Sequence, residues 1–173
     1  MEKHGLYVKE PVVWYPEDHP AHLTGSIESM CACFGKSNKS IDFPTTHEKL
    51  TWMAHVSCIL FEEGDDPTLV VDEGVYFNTR MDQLPPPPID ADLIFFECGE
   101  MGAWGDWTCE KTGGYYKLDP ANAIRSPLCY WVRHPRALCD FCCAHPDTFT
   151  NNLAQYQQEH TCYVFMAPIC KRV

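Results

Sequence analysis

Cys139, Cys142, Cys143, His145, His160 and Cys162, side chains able to hold a soft metal ion or to act as a nucleophile with its base, all fall between Arg133 and Cys162. Cys139 and Cys142 have the spacing that lets two thiolates from one tight turn reach the same tetrahedral ion at about 2.3 Å. His160 and Cys162, one residue apart, point to one face where the backbone is extended. Between the pairs, Asp147 or Thr148 can cap a helix along which Phe149, Leu153 and Tyr156 recur at offsets of four and three. The spacing predicts a knuckle, a helix and a His-x-Cys pair, closing a zinc centre with Cys139, Cys142, His160 and Cys162 as ligands. Cys143 and His145 are the substitutes. Zinc with four protein ligands has no open position, so its role there is structural.

The same residues support other chemistry. A thiol nucleophile needs a neighbouring imidazole, and Cys142 or Cys143 has His134, His145 or His160 within the segment. A three-ligand metal would leave a position for water, with Glu159 as base. No nucleophile motif or glycine-rich cofactor loop accompanies either arrangement, so a Cys/His- or metal-dependent hydrolase stands as an alternative. Two blander readings compete: reduced thiols packed as small apolar side chains, and disulfides, since the chain has 11 cysteines.

The elements that must position this cluster read mostly as strands. Residues 5–15 and 24–34 are β-prone, the first interrupted by Pro11 and the second carrying Cys31 and Cys33. Residues 50–61, LTWMAHVSCILF, are apolar on both alternating faces and are expected as a central strand. After the acidic EEGDDP, residues 68–77 return as the second arm of a hairpin. Pro85 to Pro88 form a stiff run unfit for a sheet interior, placed as a spacer between a subdomain at 1–84 and another at 89–173, with one undivided domain as the alternative. Strands follow at 92–98, 128–132 and 162–166, and Asp119 with Pro120 opens a short helical turn. The expected fold is α+β, mainly antiparallel with about eight strands and one or two short helices in the C-terminal part.

Charge limits the partners. The net charge is −11, with 20 acidic and 6 basic side chains in residues 1–110 against 4 and 7 in residues 111–173. Such a surface repels a nucleic-acid backbone, and Arg125, Arg133, Arg136, Lys171 and Arg172 read as solvated cations. No stretch approaches the roughly 20 apolar residues of a membrane span. The start of the sequence lacks an apolar run of signal-peptide length and the cysteine count is odd, which favours a reducing compartment, cytoplasmic or nuclear, over a secreted disulfide-rich effector. Between residues 99 and 116, glycines alternate with Trp104, Trp107 and Tyr115, a composition suited to a recognition loop. The sequence-based expectation is a zinc-stabilised protein-interaction module, an accessory or regulatory protein, with Trp104, Trp107 and Tyr115 meeting a protein partner.

Overall fold

A computed structural model describes residues 43–60, 65–72, 75–77, 79–80, 83–98, 111–125, 127–145, 147–165 and 169–172. The expected strands at 5–15 and 24–34, and Trp104 and Trp107, lie outside the described residues.

Three strands built on runs of consecutive apolar residues form the centre: β3 (Leu93–Cys98), β6 (Pro127–Val132) and β7 (Cys162–Phe165). Successive side chains of a strand face opposite ways, so a strand apolar at every position must be covered on both sides. That is what happens here. Leu93 and Phe95, Tyr130 and Val132, and Cys162 and Val164 belong to one buried cluster. Ile94 and Phe96, Cys129 and Trp131, and Tyr163 and Phe165 belong to a second. With β1 (Thr68–Val71), β4 (Lys111–Thr112) and β5 (Tyr115–Lys117), they form a six-stranded sheet in the order β1-β6-β3-β7-β5-β4. The β3–β7 pairing is parallel and the others are antiparallel, so the sheet is mixed.

Helices α1 (Thr46–Leu60), α2 (Pro135–Ala144) and α3 (Phe149–Glu159) supply the first cluster. The second is closed by residues 84–91 and by Ile169 and Cys170 at β8 (Cys170–Arg172), which pairs antiparallel with β2 (Val75–Phe77). The fold is α+β. Strands from before the proline run pair with strands after it, β1 with β6 and β2 with β8. Among the described residues Pro85 to Pro88 runs as a strap between strands that pair across it, tied to β5 by the Tyr115 hydroxyl.

Residues 50–61 correct the expected central strand, since α1 covers most of them. An apolar run of this length satisfies both periods, and the start signal decides. The Thr45 hydroxyl accepts from the Glu48 backbone N–H at 3.2 Å and donates to the Glu48 carboxylate at 2.9 Å, a local cap that no strand would use. Trp52, Met53 and Val56 are then the buried positions of one helical face. The expected hairpin therefore lacks its first strand, and residues 61–64 of its acidic tip lie outside the described residues. Its second arm is split: β1 and β2 belong to different sheets, and the Val75 N–H donates to the Asp72 carbonyl at 3.3 Å.

The β4–β5 hairpin turns through Gly113 and Gly114, at φ 58° and 94°, with Thr112 opposite Tyr115. Two positive φ values in a two-residue loop suit glycine or asparagine. The positions differ in space: a Cβ on Gly113 would come no nearer than 4.0 Å to Pro85 Cβ, whereas one on Gly114 would meet Phe165 Cε2 at 3.0 Å. Gly113→Asn is expected to change stability by under about 0.5 kcal/mol and Gly114→Asn to cost about 2 kcal/mol. Equal urea midpoints for the two variants would show that the Phe165 contact does not matter.

Candidate functional site

The Cys/His segment folds as two helices and a strand start. Pro135 occupies the first turn of α2, where its missing N–H costs nothing, but His134 at the cap makes no side-chain capping bond. The cap arrives from elsewhere. One carboxylate oxygen of Asp65 accepts from the Arg136 backbone N–H at 3.0 Å, and the other lies 3.2 Å from His134 Nδ1. An anion at a helix N-terminus meets both the free N–H groups and the positive end of the dipole.

The expected knuckle is thus a correction: Cys139 and Cys142 sit inside α2. Leu138, Cys139, Cys142 and Cys143 are spaced one, four and five apart, which is one face of a helix, and all four are buried. α3 follows as expected, with the Thr148 hydroxyl accepting from the Asn151 N–H at 3.3 Å. His160 ends it and Cys162 opens β7.

The four expected ligands share this neighbourhood without converging. Cys139 Sγ is 3.5 Å from the Val56 carbonyl of α1, while Cys162 Sγ is 3.5 Å from the His160 carbonyl. The two sulfurs thus lie against different backbone carbonyls, one on α1 and one at the end of α3. Burial, aided by the Asp92 carboxylate, pushes the Cys162 thiol well above its ordinary range. Among the described residues no group of three or more His, Cys, Asp or Glu side chains is placed to hold a metal ion. This donor set does not fit zinc as arranged: two of its sulfurs are aimed at different backbone carbonyls and no third donor joins either.

The histidines have a different organisation, which sequence reasoning missed. His145 Nδ1 donates to the Phe141 carbonyl at 2.8 Å, and His160 Nδ1 donates to the Tyr156 carbonyl at 2.9 Å. Each imidazole also stacks on the aromatic ring four residues before it, His145 on Phe141 at 4.0 Å and His160 on Tyr156 at 3.6 Å. Phe141 and Tyr156 meet edge to face at 5.3 Å and 81°. The four rings form one ladder that ties the C-terminal ends of α2 and α3 together. Its signal was legible as a repeated pattern, Phe141-x3-His145 and Tyr156-x3-His160. Burial, then Asp92, raises the Tyr156 phenol above its usual range.

The remaining imidazole proposed as a base, His134, is likewise engaged, with Asp65. Glu159 is an exposed residue at the end of α3. Tyr115, expected on a recognition loop, is fully buried in β5, and its hydroxyl donates to the Pro85 carbonyl at 2.7 Å.

The strap to which Tyr115 binds is held at several points. Arg133, read from sequence as a solvated cation, donates through Nε to the Ala91 carbonyl at 2.6 Å and through Nη2 to the Pro88 carbonyl at 2.8 Å. Its guanidinium lies 5.2 Å above the Trp131 ring. The Ala91 N–H closes a turn onto the Pro88 carbonyl at 3.1 Å. Asp90 is held on both oxygens, by the Tyr163 hydroxyl at 3.0 Å and by Lys117 at 3.6 Å. At the corner of this turn Ile89 is 94% exposed.

Among the described residues no helix is long and apolar enough to cross a membrane. Comparison of this chain with known protein families, with curated proteins and with solved structures finds no match.

Proposed function

We propose that the protein is a protein-interaction module whose sheet holds the Pro88 to Ala91 turn rigid and presents Ile89 to a protein partner. The observation that carries this reading is the pairing of near-complete exposure at Ile89 with fixation of the backbone on either side of it. Isolated exposed apolar residues are common on protein surfaces. One held in place beforehand is different, because binding there loses little conformational entropy.

The proline run is not itself the recognised element in this proposal. Pro88 is buried, and the Pro85 and Pro88 carbonyls already accept from Tyr115 and Arg133. A groove that reads extended proline segments needs those surfaces open. The Cys/His layer acts as packed support for the sheet, a role favoured by buried thiols and ring-stacked imidazoles over the hydrolase alternative.

The test is quantitative affinity capture with wild type and Ile89→Asp under matched conditions. Loss of a central apolar anchor costs about 2 kcal/mol or more, so partners retained by wild type should fall by about 30-fold with the variant. Thermal stability should be unchanged within about 0.5 kcal/mol, since Ile89 makes almost no intramolecular cover. An identical partner set for both proteins would sink the proposal. Metal analysis of the purified full chain separates it from the zinc-stapled form: one tightly bound zinc per chain would mean that Cys139, Cys142, His160 and Cys162 rearrange from the packing described.

A further inference from the structure

We propose that His55 is an acid-sensitive latch, seating α1 on the sheet while its imidazole is neutral and releasing the helix when the ring takes up a proton. The geometry places this one side chain where three layers of contact meet. Its ring lies flat on Phe149 of α3, with centroids 4.0 Å apart and planes 2° from parallel. Its Nδ1 is 3.0 Å from the Tyr130 hydroxyl of β6. One turn earlier on α1, Trp52 is fully buried, and one residue later the Val56 carbonyl receives the Cys139 thiol of α2. α1 thus touches β6, α2 and α3 through consecutive groups around His55.

The groups facing the ring decide the sign. Tyr130 from β6 is a neutral phenol that can donate to the Nδ1 lone pair. Phe149 from α3 has no titratable group, and α2 contributes Cys139, whose sulfur lies 3.5 Å from the Val56 carbonyl. The Asp72 carboxylate, just beyond β1, is the charge that favours a proton on the ring, and its pull is smaller than the opposing effect of burial. Stacking on Phe149 offers a cation about 1 kcal/mol, less than the loss of hydration on burial. The imidazole is accordingly held down at about 4 from an ordinary 6.5.

Because the folded value is depressed, neutral His55 contributes its full stability above about pH 6.5, and that contribution drains away as pH falls towards 4. The ceiling is on the order of 300-fold in the equilibrium between seated and released α1. His55 is only half-buried, so partial access of water to the charged form lowers the expected change to about tenfold or more.

Hydrogen exchange on the full-length protein, read by mass spectrometry at pH 7 and again near pH 4, tests this. Comparing wild type with His55→Phe at each pH cancels the intrinsic exchange rate, and phenylalanine keeps the stack on Phe149 while removing the titration. Peptides from α1 should lose protection in wild type by at least about tenfold more than peptides from α3, and that excess should vanish in the variant. An excess loss that persists in His55→Phe, or no excess in wild type, would overturn the latch. If the variant does not fold, titration of the His55 ring by NMR in the wild-type protein decides instead: a midpoint near 6.5 rejects the proposal, and one well below it supports it.

Discussion

Gln157→Leu is expected to destabilise the protein by about 2–5 kcal/mol, one of the largest effects available from a single side chain. Gln157 is 1% exposed and its amide reads the Ile124 backbone on both sides. Its Oε1 accepts from the Ile124 N–H at 2.8 Å, and its Nε2 donates to the Ile124 carbonyl at 2.6 Å and to the Leu153 carbonyl at 3.0 Å. In this way α3 holds residues 123–125, which carry the chain from the short 3-10 turn Pro120–Asn122 towards β6. Leucine fills the volume but leaves a buried N–H and a buried carbonyl without these partners. At this chain length the thermal midpoint should fall by roughly 5–15 °C. Gln157→Glu should be at least as damaging near neutral pH, because one carboxylate oxygen would face two carbonyls in a buried site. A leucine variant within about 0.5 kcal/mol of wild type, by urea denaturation, would show that water replaces the amide.

Arg133→Met is the second large effect, and it separates the strap from the rest of the fold. The guanidinium supplies two charge-assisted bonds, of 2.6 Å to Ala91 and 2.8 Å to Pro88. Such bonds are worth more than neutral ones. Methionine keeps much of the stem over Trp131 and removes both donors, so a loss of about 2–4 kcal/mol is expected. The loss should be local: protease cleavage at residues 83–91 should rise while peptides from β3 and β6 stay protected. Arg133→Lys should recover less than half, since a single ammonium cannot span both carbonyls as the planar fork does. Under the interaction-module proposal, Arg133→Met also weakens partner capture without touching Ile89, because the turn loses its fixed shape. Unchanged proteolysis of the strap would mean that Tyr115 and Asp90 suffice to hold it.

Both residues show how differently parts of this protein can be read. The strands β3, β6 and β7 were legible because LIFF, CYWV and CYVF are apolar at every position, and only a doubly covered strand needs that. The capped start of α3 at Thr148 and the Asp119-Pro120 turn were legible because capping is local. α1 was misread because its apolar residues match either period. The Thr45 and Glu48 box that settles it lies just ahead of the apolar run. The cysteines were misread as a knuckle because two-residue spacing suits both a turn and successive turns of a helix.

The sequence by itself determined the doubly covered central strands, the helix after Thr148 and the acidic balance of the chain, since each follows from neighbours within one or two turns or from composition alone. Tertiary structure decided the rest. The Asp65 cap on α2, the Arg133 clamp on the strap and the Gln157 grip on Ile124 join residues 71, 42 to 45 and 33 positions apart. A long-range polar bond needs one donor and one acceptor brought together by the packing of other residues. Any arginine, aspartate or glutamine can make one, so the choice of partner is written in the fold and not in the side chain.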